Sequence, residues 1–295
     1  MESIQVSSID FVRSGRKLFV GETLLGDQSV EPSMNILMAH GSCAASSTYN
    51  NLLESVSKEI KGIQPSCSVK CTLYDTFGCG KSCPPKRGKF EDYSPHEDFL
   101  DFQALVKKLD PSTPLLLVGH SFATNQILRL LLDNTVITKI TGAVLLAPGF
   151  KGGAFPQQDG GHAIFKMPLF FLNLMQKSLT KAFVKNAFHQ NSKQALKTKA
   201  FEDSMKNDMF MCKAWYQQMT WITEEEVEKA GKQNPFLVIH GKNDGLIPCT
   251  SGKSLSGLLG AEFVEISQAS HQVMEEKPTD VAKAIVSFMM KVGGL

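Results

Sequence analysis

The sequence predicts an α/β protein with a mostly parallel, doubly wound sheet, an N-terminal hairpin and an inserted helical cap. Three observations carry that expectation. Apolar runs of strand length recur along the chain without polar alternation, as strands buried on both faces of a parallel sheet require. Helix-period segments separate those runs, the pattern of a doubly wound sheet. Between 151 and about 232 the strand rhythm stops, leaving only helix-period segments, and it then resumes.

Taken in order, segments 9–13 and 16–25 form a hairpin turning at Ser14-Gly15. Buried strands follow at "MNILMA" 34–39, "KCTLYD" 70–75, "PLLLVGH" 114–120, "ITGAVLLAP" 140–148 and "PFLVIHG" 235–241, with a short strand at 262–267. Helices are expected at 50–61, 96–109, 121–132, 250–259 and 278–291. The last opens with Pro278 and Asp280, residue types suited to a first helical turn. "KGGAFPQQDGGHAIF" has two Gly-Gly pairs and a proline, so it reads as a linker. It leads into "MPLFFLNLMQKSLTKAFVKNAFHQ", "SKQALKTKAFEDSM" and "DMFMCKAWYQQMTWI". The expected division is a core of 1–150 and 233–295 with a helical cap at 151–232.

Composition narrows the function classes. The chain has 295 residues, 42% of them hydrophobic and 20% charged, with a formal net charge of +2. That balance gives no basis for nucleic-acid binding. No apolar run is long enough to span a bilayer, and "MESIQVSSIDFVRSGRK" lacks the pattern of a signal peptide. An odd count of seven cysteines without such a signal predicts reduced thiols and a cytoplasmic protein.

One stretch, "DTFGCGKSC" at 75–83, ends like a phosphate-binding loop. The first glycine of that motif would fall where the chain has Asp75, whose carboxylate repels phosphate. The following "CPPKRGK" cannot propagate the helix that such a loop needs. Cys67, Cys71, Cys79 and Cys83 are spaced C-x3-C-x7-C-x3-C, which is not the usual zinc pattern. His162 and His189 also lack partners at metal-ligand spacing. Free thiols are the expectation, with Cys79 a candidate for the border of the site entrance and Asp75 and Ser82 tying their own turn.

The chemistry concentrates elsewhere. Strand 114–120 runs into "GHSFAT", a G-x-S-x-G elbow with Ala123 in place of the last glycine. Small residues belong there because the serine occupies a sharp strand-to-helix turn. The start of the following helix gives the Phe122 amide a position to donate to an oxyanion.

With these residues the chain resembles the α/β-hydrolase superfamily, in particular its capped, lipase-like serine esterases, over nearly its whole length. "MAHGSCAAS" looks like the His-Gly turn after the third strand, "DTFGCGKS" like the turn after the fourth, and "LLAPGF" like the end of the sixth. The resemblance implies a triad of Ser121, Asp244 in "GKNDGLIP" and His271 in "SQASHQVMEEKP", in the order this fold requires. It also implies an oxyanion hole from the amides of Ser42 and Phe122, with Cys43 the nearby option. His40 is expected to order its own loop, and no metal or organic cofactor is implied.

In the cap, Phe171, Met175, Leu179 and Phe183 share one helical face beside a lysine stripe at 177, 181 and 185. Phe171, Met175, Trp215 and Cys43 are the candidate substrate contacts. The lysine stripe also admits a weak contact with a membrane surface without stable insertion. The implied activity is hydrolysis of a small-molecule ester or acyl substrate through an acyl-enzyme. Thioester or C–C bond hydrolysis are neighbouring options. A ligand receptor that keeps its triad but turns over slowly or not at all is the alternative from another class.

Overall fold

The computed structural model describes residues 6–84, 86–133, 139–153, 157–160, 163–232 and 234–293; His162 lies outside them. Its sheet contains β1 (Val6–Arg13), β2 (Arg16–Gly26), β3 (Met34–Ala39), β4 (Ser68–Tyr74), β5 (Leu115–His120), β6 (Ile140–Leu146), β7 (Phe236–Gly241) and β8 (Glu262–Ile266). The spatial order is β1-β2-β4-β3-β5-β6-β7-β8. The first two contacts, β1 with β2 and β2 with β4, are antiparallel, and every later pair is parallel. From β3 the chain steps outward to β4, then returns to the other side of β3 as β5. That reversal opens a crevice at the C-terminal ends of β3 and β5, where open sheets place their ligands.

The continuous apolar runs are explained by burial on both faces. All six residues of β3, β5 and β7 are buried. Because side chains alternate across a strand, Ile36, Met38, Leu116 and Val118 pack into one core. Leu37, Ala39, Leu115 and Leu117 pack into the other. Helices α1 (Asn50–Ile63), α2 (Pro95–Lys108) and α3 (Ala123–Leu131) cover the first half of the sheet. Ser94 caps α2 by accepting from the Glu97 amide, and Pro95 follows at the first helical position, where a missing N–H costs no bond.

Between β6 and β7 the described chain is helical: α4 (Leu169–Ala187), α5 (Gln194–Met205), α6 (Met209–Gln217) and α7 (Glu224–Gly231). Asp208 caps α6, and Thr223 with Glu226 forms a capping box on α7. The fold closes with α8 (Cys249–Leu259), the one-turn α9 (Val273–Glu276) and α10 (Pro278–Lys291).

Differences from the sequence reading have local causes. The helix expected from 121 starts at Ala123, because Ser121 holds a positive φ of 54°. The strand expected to reach 148 ends at Leu146, since Ala147 turns left-handed at φ 47°. A separate one-turn helix, α9, holds Glu275 and Glu276 before the last helix. Lys277 has φ −132° and ψ 54°, outside the helical region that a following proline disfavours, so α9 is separated from α10.

The "DTFGCGKSC" turn works as a polar clasp. Asp75 accepts the Ser46 amide at 2.7 Å and the Lys81 amide at 2.8 Å. Ser82 Oγ donates to the Asp75 carbonyl at 2.7 Å and accepts from the Phe19 amide at 2.8 Å. The clasp thus joins β2, the end of β4 and the loop after β3. Cys71 is fully buried within β4, and Cys79 packs beneath the surface against Tyr93 and Met211, not at an entrance.

Gly80 has φ +51°, and a Cβ there would lie 2.3 Å from Asp75 Oδ2 and 2.9 Å from the Ala45 side chain. Gly80→Ala is therefore expected to cost ~2 kcal/mol, read as a lower urea midpoint. An unchanged midpoint would show that the clasp does not hold this turn.

Candidate active site

The elbow after β5 is built by exclusion. A Cβ on Gly119 would come within 2.7 Å of Ile127 and 3.2 Å of the Ala123 backbone. A Cβ on Gly41 would lie 3.1 Å from the Ser121 side chain. A side chain at either place would force its neighbours to shift, so the β3 and β5 loops approach closely. The Ser121 amide is held by the Leu146 carbonyl at 2.8 Å. Its Oγ makes no hydrogen bond among the described residues and faces a cavity.

Asp244 follows β7 in a tight turn. Its Oδ1 accepts the Leu246 and Ile247 amides at 2.8 and 2.9 Å. Its Oδ2 lies 2.7 Å from His271 Nδ1 and 3.1 Å from His240 Nε2. Burial alone would raise this carboxyl, but His271 and His240 outweigh burial and hold it well below the usual carboxylate range. An ionised Asp244 makes His271 Nδ1 the protonated nitrogen and leaves Nε2 as the lone-pair site. His271 and Ser121 both line this cavity.

Two further histidines support this arrangement. His120 Nε2 donates to the His271 carbonyl at 3.0 Å, and the two rings are 4.8 Å apart. Burial, with His271 adding to it, pushes His120 down to about 3, so it stays neutral. His240 spans Asp244 and the Ile247 carbonyl, 2.9 Å away. Sequence spacing flags neither role; His240 reads there as a strand residue.

The amides of Ser42, Cys43 and Phe122 have no acceptor among the described residues, although all three residues line the cavity. Buried amides normally find partners. His40 braces the loop, accepting the Thr76 amide at 3.0 Å and donating to the Gly41 carbonyl at 2.8 Å. From the other side Asn207 donates to the Cys43 carbonyl at 2.7 Å, and Ser42 Oγ lies 3.3 Å from the Tyr216 hydroxyl. Cys43 itself holds φ 52°.

The cavity has a volume of about 990 Å³. Its apolar wall includes Leu179 and Phe183 of α4, with Tyr216, Met219, Trp221 and Ile247. Of the predicted substrate contacts, Cys43 lines it, whereas Phe171, Met175 and Trp215 do not. Phe171 lies near the start of α4 and is 47% exposed; only the later turns of that helix overhang the cavity. Trp215 is buried against Phe122 at 4.8 Å, and its Nε1 donates to Asp98 at 2.8 Å.

A family profile described as serine aminopeptidase S33, within the Hydrolase_4 group, matches residues 30–278. The chain belongs to this α/β-hydrolase family. Human Protein ABHD8 is 26% identical over 223 residues, covering 73% of this chain and 48% of that protein. The chain thus spans about half the length of the curated relatives it matches. Among solved structures, a bromoperoxidase from Bacillus anthracis superposes with a TM-score of 0.75 at 14% identity, covering 97% of this chain and 100% of the other. The enol-lactonase of Burkholderia xenovorans LB400 gives 0.72 at 17% identity, with 92% and 97% covered. The esterase EaEST of Exiguobacterium antarcticum gives 0.72 at 15% identity, with 93% and 96% covered. These likenesses establish the shared fold.

Within this family frame Glu275 stands out. It is buried, lines the cavity, and its carboxyl has no hydrogen-bond partner among the described residues. Burial pushes it up to about 7, with Lys199 pulling the other way and Asp203 and Glu276 adding to the rise. The unfolded carboxyl ionises near 4.5. Between these values the folded state binds more protons, so Glu275 makes stability fall as pH rises through that window. Glu275→Gln removes that slope and is expected to stabilise the chain relative to wild type at pH 8 by up to ~3 kcal/mol more than at pH 5. Urea unfolding at the two pH values measures it, and an equal difference at both would contradict this environment.

Proposed function

We propose that the chain is a serine hydrolase that cleaves carboxylic esters through an acyl-enzyme. The observation that carries this reading is the 2.7 Å bond from His271 Nδ1 to buried Asp244, on the wall of the cavity that holds Ser121. In this mechanism His271 Nε2 takes the Ser121 proton as Oγ attacks the ester carbonyl carbon, and Asp244 stabilises the imidazolium. The Ser121 hydroxyl is free to rotate, and its bond to Nε2 forms as substrate enters, when such contacts tighten. The negative carbonyl oxygen accepts from the Phe122 and Ser42 amides, with the Cys43 amide the nearby option. Each such donor is worth on the order of 3 kcal/mol. Collapse expels the alcohol, which leaves with the proton from His271. Water, deprotonated by the same nitrogen, then releases the acid and restores Ser121.

Residues 151–232 act as a lid in this reading, with Leu179, Phe183, Tyr216 and Met219 favouring an apolar acyl or aromatic group. The family's description names an aminopeptidase, and one observation favours an amide-cleaving alternative. The unpartnered Glu275 carboxyl in the cavity suits a substrate with a free amino group. A receptor that keeps its triad would acylate without sustained turnover, so single-turnover and steady-state rates separate it from an esterase.

Fluorophosphonate labelling and a p-nitrophenyl ester chain-length series, run beside aminoacyl p-nitroanilides, provide the test. Ser121→Ala should abolish labelling and lower ester kcat/KM by at least about 10³-fold, and Asp244→Asn should lower kcat by about 10⁴-fold. Labelling of Ser121→Ala equal to wild type would sink the assignment; faster turnover of the anilides would move it to amides.

A further inference from the structure

The outer face of α4 carries a feature that the cavity does not use. Of the large hydrophobic side chains exposed among the described residues, Phe170 (72%), Phe171 (47%) and Leu174 (74%) lie together in its first two turns. The later turns of the same helix present Lys177, Lys181 and Lys185, all exposed. At 3.6 residues per turn, positions 170, 174, 177, 181 and 185 fall within an arc of about 80°. None of the three lysines has an ion-pair partner among the described residues, and α4 contains no acidic residue. The exposed Lys166 just before the helix is likewise unpaired.

The opposite face is occupied. Leu172 is buried there and Leu179 and Phe183 line the cavity, while Thr180, Val184 and Ala187 are buried along one flank. One helix therefore has an inner face committed to the fold and an outer face that is apolar at one end and cationic at the other. Water does not reward exposing two phenylalanines and a leucine side by side, and such patches mark interaction sites.

We propose that this outer face docks onto an anionic phospholipid surface, with Phe170, Phe171 and Leu174 entering the headgroup boundary and Lys177, Lys181 and Lys185 pairing with lipid anions. Charge complementarity selects this occupant: the lysine row has no countercharge on its own helix, and an anionic leaflet supplies one at every lysine simultaneously. Shape agrees, because the face is a convex helix flank suited to lying in the plane of an interface. Among the described residues no helix is long and apolar enough to cross a membrane, so the contact is with the surface. It also brings the bilayer alongside the helix that overhangs the cavity.

The test is co-sedimentation of the full chain with sucrose-loaded vesicles of phosphatidylcholine, alone or mixed with phosphatidylserine. Wild type should pellet with the mixed vesicles and much less with the neutral ones. Lys177→Gln/Lys181→Gln should weaken binding to the mixed vesicles by about 25-fold, roughly fivefold per lysine. Phe170→Ser/Leu174→Ser should weaken it about tenfold or more. These side chains are outside the cavity, and circular dichroism checks that the variants fold. A diazirine-bearing phosphatidylserine gives a readout without substitution, with adducts expected in the peptide spanning 169–177. Wild type that stays in the supernatant with both vesicle types, equal binding to both, unchanged binding by the variants, or adducts only elsewhere would each overturn the proposal. Vesicle binding does not require turnover, so its failure is distinct from a failure of the hydrolase assignment.

Discussion

A left-handed backbone at Ser121 is the constraint on which the site depends. A non-glycine residue at φ 54° costs on the order of 1–3 kcal/mol and persists only where its surroundings over-determine it. Here they do: the Ser121 amide is tied to β6, Gly119 lets α3 close on β5, and Gly41 lets the neighbouring loop touch the serine. The other described non-glycine residues with positive φ are Cys43, Ala147 and Gln268. They follow β3, β6 and β8, so the backbone strain collects at the same C-terminal edge of the sheet. The core strands are ordinary and well packed, and their stability sustains that edge.

Buried carboxylates divide into two kinds around this edge. Asp244 and Asp75 sit among donors, and each uses both oxygens to fix loops from different strands. Asp244 aligns the β7 turn with His271, and Asp75 aligns the β4 turn with the loop carrying Ser42. Glu275 and Asp98 are different. Both are buried with too few donors, and burial pushes both up to about 7 despite nearby cations. Carboxyls of the first kind fix geometry. Glu275 instead leaves hydrogen-bonding capacity in the cavity.

Much of this was legible in the sequence. Each predicted strand and each predicted core helix exists, because continuous apolar runs and helical periodicity report burial directly. Ser121, Asp244 and His271 stood out in the sequence because each sits just past a strand end, where chain order constrains the choice. The turn at 75–83 was also readable, since Asp75 and Ser82 bond within it. Glu275 and His240 were not. Their importance comes from what faces them across the fold, and neighbouring residues along the chain carry no trace of that. Helical periodicity on α4 grouped Phe171, Met175, Leu179 and Phe183, yet only Leu179 and Phe183 line the cavity, because periodicity cannot say which turns overhang it. That depends on where the helix enters from its linker, which is a tertiary fact.

Trp215 turns that limit into a structural argument. Placed by sequence among substrate contacts, it is instead the tether between α6 and the core. Its indole N–H reaches Asp98 on α2, a carboxyl that also lies 3.7 Å from Arg16 of β2. Its ring meets Phe122 edge-on at 4.8 Å, while Trp221 meets the same phenylalanine at 5.2 Å. Phe122 contributes one of the unbonded amides beside Ser121, so the insertion grips the residue that carries that amide. Tyr216, next along α6, lies against Ser42 on the opposing loop. A shift of α6 would therefore disturb both amide-bearing loops together. The helical segment between β6 and β7 thus shares with the sheet in setting the geometry around Ser121.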